Sequence, residues 1–250
     1  MVNVSDVYAM GGRPTAIVNA LWGRGDDRTG RLLDGMRAAA RCYQVPMVGG
    51  HSNLRCEEDQ LAVAILGHAT RLLTSFDARP GDRLLVALDL RGAYRPPFAH
   101  WNCTTDVDPA RLRADLDLLP MLAEAGLCRS AKDISQAGVL GTLMMLMECS
   151  GVGARIAVDN VPRPPGVDPL RWLTTTFPSY GFVMAVNARH CDAVIRCFAD
   201  RGLVCADVGC CDDSAQLHVE RAGASRLAWD FTLDALTGCA PNAHKEALDA

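Results

Sequence analysis

This 250-residue chain has almost no lysine. Only Lys132 and Lys245 carry that side chain, so its 25 basic residues are nearly all arginine, and 29 acids outweigh them to a formal net charge of −4. That balance gives no basic surface of the kind nucleic-acid binding needs. No apolar run approaches the ~20 residues of a membrane span. No internal repeat and no low-complexity segment is visible. Eleven cysteines are present, yet no Cys-x-x-Cys pair is among them. Cys210 and Cys211 are adjacent, and Cys191 and Cys197 lie six apart with His190 beside the first. Structural zinc sites use tighter ligand pairs. The thiols therefore read as reduced, with Cys42, Cys149, Cys197 and Cys205 as small buried hydrophobes. Reduced thiols, and a folded-looking motif directly after Met1, lead us to expect a cytoplasmic protein with no secretory leader.

What is present suits an ordinary folded protein. Apolar residues make up 49% and charged residues 22%, enough for a normal core. The length suits one large or two small domains. Periodicity predicts a helical turn over 6–10 and a strand over 15–22. A helix follows over 31–44, with Leu32, Leu33, Met36, Ala40 and Tyr43 on one face. Asp26 or Asp27 stands upstream of it. A strand over 46–49 is followed by another over 60–66, apolar almost throughout and so expected to be buried on both faces. The turn signal Ala78-Arg79-Pro80-Gly81-Asp82 marks a junction, and a new strand starts at Arg83.

Residues 91–105 form a long irregular stretch, a candidate active-site or interface loop. A helix from Pro109 is expected to break or kink at Pro120. An apolar helix runs over 135–150. Strands over 154–158, 181–186, 203–208 and 216–219 alternate with helices near Leu170 and over 189–200. The predicted class is α/β (α+β): a small N-terminal unit over 1–70, a larger unit over 71–238, and a frayed tail over 239–250.

Three stretches carry chemistry. Asp6 lies beside Gly11-Gly12-Arg13-Pro14 and an apolar strand. Gly49-Gly50-His51-Ser52 ends another apolar strand. Asp133 opens Asp133-Ile134-Ser135-Gln136-Ala137-Gly138. Asp6 and Asp133 both read as standing where a helix begins, so each is either an N-cap or a ligand. Two acids with an exposed glycine backbone suit magnesium and a triphosphate, because magnesium takes few protein carboxylates and many phosphate oxygens. His51 reads as a loop histidine, beside a phosphate or bonded to backbone. Lys132 is a phosphate contact or an exposed helix-start lysine. His100 and Trp101 line a pocket or fill the junction. Arg91 and Arg95 read as solvated surface.

The run from Asn3 to Pro14 resembles the corresponding motif of selenophosphate synthetase and of thiamine-monophosphate kinase. Val48-Gly49-Gly50-His51-Ser52 is similar to selenophosphate synthetase, since thiamine-monophosphate kinase carries an acid in place of His51. Lys132 to Thr142, with Glu148-Cys149-Ser150-Gly151-Val152-Gly153-Ala154, resembles the C-terminal domain of aminoimidazole ribonucleotide (AIR) synthase. Trp101, Pro178-Ser179-Tyr180-Gly181 and Trp229-Asp230 resemble the AIR synthase-related branch.

The resemblance implies an AIR synthase (PurM)-like two-domain fold, ATP with Mg2+ as cofactors, and phosphotransfer to, or activation of, a small-molecule substrate. It implies a homodimer whose N-terminal sheets close into a barrel. Asp6 would be a magnesium and nucleotide ligand with Asn3 near the same site. Gly49, Gly50, His51 and Ser52 would approach ATP across the dimer, and Asp133 would be a second magnesium ligand. The family's upstream glycine-rich and acidic segment has no counterpart ahead of Asn3, so the N-terminal unit is expected to be incomplete at its start. The alternative is a non-catalytic or partner-dependent dimeric subunit of the same fold.

Overall fold

The computed structural model describes residues 1–241, so most of the tail expected to fray lies outside the described residues. The first unit runs α1 (Val2–Ala9), β1 (Arg13–Trp22), α2 (Asp27–Tyr43), β2 (Met47–Asn53) and β3 (Gln60–His68). Its strands form one sheet in the order β2-β1-β3, with β1 parallel to β2 and antiparallel to β3. Asp26 starts α2 ahead of the expected Arg31, because its side chain accepts the backbone N–H groups of Arg28 and Thr29 at 3.0 and 3.2 Å.

Alternation along a strand sends successive side chains to opposite faces. Ile17 pairs with Ile65 and Leu21 with Leu61. Leu21 is fully buried, and Ile17 and Ile65 pack against the core. Val18, opposite Ala64, and Leu66, opposite Ala16, turn the other way and are 44% and 70% exposed. The strand over 60–66 is therefore covered on one face only, not on both as its apolar run suggested. Of the first unit's helices, α1 is the one that packs on β1 and β3, on the covered face.

The larger unit runs β4 (Asp82–Leu88), β5 (Ala93–Tyr94), β6 (His100–Asn102), α3 (Pro109–Leu116), α4 (Leu118–Glu124), β7 (Ser130–Asp133), α5 (Gly138–Ser150), β8 (Gly153–Ala157), α6 (Pro169–Thr174), β9 (Phe177–Pro178), β10 (Gly181–Asn187), α7 (Cys191–Ala199), β11 (Val204–Asp212), β12 (Gln216–Arg221) and β13 (Ala224–Asp230). Seven strands make one sheet in the order β13-β12-β8-β11-β4-β10-β7. Leu84 to Leu88 at its centre are completely buried, which is why β4 reads as an unbroken apolar run. β5, β6 and β9 form a separate small sheet inside and beside the stretch expected to be irregular.

Two local expectations change. The helix after Pro109 breaks at Asp117, and Pro120 sits in the first turn of α4. A first-turn N–H has no helical partner, so proline costs nothing there. β13 has no local signal in the sequence, because its turn, Arg221-Ala222-Gly223-Ala224, lacks the usual Asn-Gly pair. Ala222 and Gly223 have φ of 48° and 79°, positive at both central positions as a type I′ hairpin requires.

All eleven cysteines are unpaired. Cys103, Cys128, Cys191 and Cys211 are the buried ones, whereas Cys42, Cys149, Cys197 and Cys205 are only half-buried. The two units are tied by Arg13, whose Nε donates to Asp117 Oδ1 at 2.6 Å and whose Nη1 donates to Glu124 Oε1 at 2.5 Å. These side chains are a third or more exposed, so each pair contributes about 1 kcal/mol or less.

Candidate functional site

Asp6 and Asp133 come together where the two units meet. Asp6 lies inside α1, one turn from its end, and Asp133 is the last residue of β7. Neither is an N-cap, one of the two readings the sequence left open for each. Met1 caps α1, and α5 starts five residues beyond Asp133, after Ala137. The Asp133 carboxyl is held up at about 6, first by burial and then by the charge and contact of Asp6, with Lys132 acting the other way. Two carboxyls this close share a proton or a cation. The signal for their meeting was not in either local motif: α1 packs on β3 and β7 together, a long-range arrangement.

Asp133 separates two hollows. One, of about 370 Å3, is lined by Asp6, Met10, Thr74, Phe76, Lys132 and Asp133. The other, of about 90 Å3, holds Ser5, Asp133, Ser135, Gln136 and Phe177. Met10 and Phe76 are more than half exposed at the rim of the larger hollow, and nothing in their sequence context announced that. Among the described residues no group of three or more His, Cys, Asp or Glu could hold a metal ion. The acid pair nevertheless suits magnesium, which binds through one or two carboxylates and completes its shell with water and phosphate oxygens.

The other expected site residues lie elsewhere. Asn3 Nδ2 donates to the carbonyl of Val63 at 3.1 Å, which pins α1 to β3. Gly49, Gly50, His51 and Ser52 lie within β2, exposed on an edge strand, rather than in a turn ending an apolar strand. Neither of these two hollows beside Asp133 includes any of the four. Gly50 has a structural reason to be glycine: a Cβ would stand 2.6 Å from the carbonyl oxygen of Asn19 on the paired strand. At Gly49 a Cβ would meet nothing within 4 Å, so that stretch of backbone is open to an incoming group.

His100 and Trp101 line no hollow at the acid pair. Trp101 is buried, donates Nε1–H to the Asp89 carbonyl at 3.2 Å, and packs edge-on against Tyr94 and Trp172. His100 stacks on Phe177 at 5.1 Å, with Nε2 2.9 Å from Ser179 Oγ. Burial, and then the charge of Arg95, keeps its pKa below the usual histidine value. Arg91 lies at the surface as expected, but its guanidinium is taken, since Nε and Nη2 both bond the Asp89 carboxylate.

The family model described as AIR synthase related protein, N-terminal domain, matches residues 1–69, and that of the C-terminal domain matches residues 98–220. An uncharacterized protein of Synechocystis sp. is 42% identical over 95% of this chain and 74% of its own length. A selenide, water dikinase of Geobacter metallireducens is 30% identical over 67% of this chain and 51% of its own. Among solved structures, the Thermotoga maritima PurL complexed with ATP superposes with a TM-score of 0.76 at 20% identity, over 92% of this chain and 39% of PurL. That likeness extends the shared architecture across both units. With both family models matched in order and a relative of 42% identity along nearly its whole length, this chain belongs to the AIR synthase related protein family.

Proposed function

We propose that this protein uses ATP and Mg2+ to transfer phosphate to, or activate, a small-molecule substrate at the Asp6–Asp133 junction. The observation that carries the reading is the facing of two carboxylates, with Asp133 pushed up to about 6 in part by Asp6. Such a pair is unfavourable alone and becomes favourable around a divalent cation. Asp6 and Asp133 would hold that cation, which when bound neutralises phosphate charge during transfer. Lys132 stands on the wall of the same hollow, placed to meet a phosphate oxygen. The ATP complex of the PurL relative supports the choice of nucleotide.

The open face of the first sheet supports a homodimer. Val18 and Leu66 are apolar and exposed on it, and contiguous exposed apolar surface marks an interface. Gly49 to Ser52 lie on the edge strand of that sheet, so a second protomer is the element that would carry them toward a nucleotide. The same separation favours one alternative, a subunit whose site a different partner completes. Calorimetry with ATP and magnesium tests the reading. Wild type binds the pair and Asp6→Ala loses about ten- to a hundredfold in affinity, the size of a lost charge-assisted contact. Equal binding by the two proteins sinks the assignment of Asp6.

A further inference from the structure

A further concavity, of about 200 Å3, opens at the end of β7 remote from Asp133. Its walls include Arg71 between the two sheets, Gly126 after α4, Arg129 before β7, Asn187 at the end of β10, and Arg189 and His190 after it. No carboxylate lines it, in a chain whose net charge is −4. Arg129 is already neutralised, with Nη2 on Asp82 Oδ2 at 2.6 Å and Nε on the Asp77 carbonyl at 2.9 Å. Arg71 and Arg189 are not. Among the described residues the Arg71 side chain makes no hydrogen bond or ion pair. Arg189 gives only its Nε–H, to His190 Nε2 at 3.0 Å, which leaves both Nη groups uncommitted.

We propose that this pocket binds a small oxyanion of the phosphate class, held between the Arg71 and Arg189 guanidinium groups. Planar N–H forks match the oxygens of phosphate, and two uncompensated cations lining one hollow gain most from a dianion. The volume lies below the ~300 Å3 at which drug-sized ligand sites begin, so a whole nucleotide is excluded. Inorganic phosphate fits, as does the phosphate of a short monoester. Leu72 lines both this pocket and the hollow beside Asp6, so the anion sits next to the proposed nucleotide site without being part of it. Bound there, it bridges the segment joining the two sheets to the turn after β10.

The experiment is calorimetry and thermal denaturation of the full chain with sodium phosphate, against sodium chloride at matched ionic strength. Arg71→Gln, Arg189→Gln and the double variant are measured alongside. Both arginines are exposed, so the variants keep the wild-type melting temperature in chloride. Wild type binds phosphate in the millimolar range or tighter and melts higher in it. Each single variant loses about tenfold in affinity and the double variant loses binding. Asp133→Asn retains it, which separates this pocket from the proposed nucleotide site whether or not that site binds ATP. Glycerol phosphate competing with inorganic phosphate identifies a monoester as an acceptable occupant, and failure to compete restricts the site to the free anion. Equal phosphate affinity in wild type and the double variant, or no binding by wild type, overturns the proposal.

Discussion

The Asp133 carboxyl, at the end of strand β7, lies against the Asp6 carboxylate on helix α1, which with burial holds it above its ordinary value. Burial and the Asp6 charge together raise Asp133 from an ordinary 3.8 to about 6. The folded state thus holds a proton that the unfolded state has released, and stability from this group is lost as pH rises from 4 through 6.

Asp133→Asn removes that titration. The variant, compared with wild type without ligand, gains stability as pH rises from 4 to 6 and keeps the gain at pH 7, by about 1–3 kcal/mol. Urea unfolding of both proteins at several pH values measures it. A stability difference independent of pH would show that Asp133 is not perturbed.

On the proposed reading, magnesium is expected to bind the same pair. At pH 7 millimolar magnesium with ATP raises the melting temperature of wild type, and Asp6→Ala and Asp133→Asn respond less. Differential scanning fluorimetry reads the shift. An undiminished response in both variants would place the nucleotide elsewhere.

Val18→Glu tests the open sheet face. Wild type is expected as a dimer in light scattering. The variant, with a charge set at the centre of that face, is expected near the monomer mass of 26.9 kDa with its fold intact. A wild-type monomer at micromolar concentration would remove the homodimer from the proposal.

Glu148 anchors the C-terminal segment. Its carboxylate accepts the backbone N–H groups of Leu236, Thr237 and Gly238. Burial works to raise its pKa, but the hydroxyl and backbone bonds from Thr237 and its neighbours outweigh burial and hold it below the usual glutamate value. The stability it contributes is therefore present at neutral pH and lost as pH falls below about 4.5. Glu148→Gln costs about 1.5–3 kcal/mol at pH 7 and less in acid, measured by urea unfolding. An equal loss at pH 7 and pH 4 would count against a charged anchor.

The sequence by itself determined the class of the fold, the run of most strands and helices, and the family. Those follow from local periodicity and short motifs, which the nearby backbone enforces without help from distant residues. The tertiary structure decided what the motifs touch. Asp6 read as either a cap or a ligand, because a single carboxylate near a glycine turn suits both. It became half of a pair only because α1 lies against β7, more than 120 positions further along the chain. Gly50 looked like a phosphate turn, and its tight approach to the Asn19 carbonyl emerged only from strand pairing. The apolar run over 60–66 looked like a buried strand. Whether a second layer covers an apolar face depends on what the rest of the chain places over it, and periodicity carries no information about that.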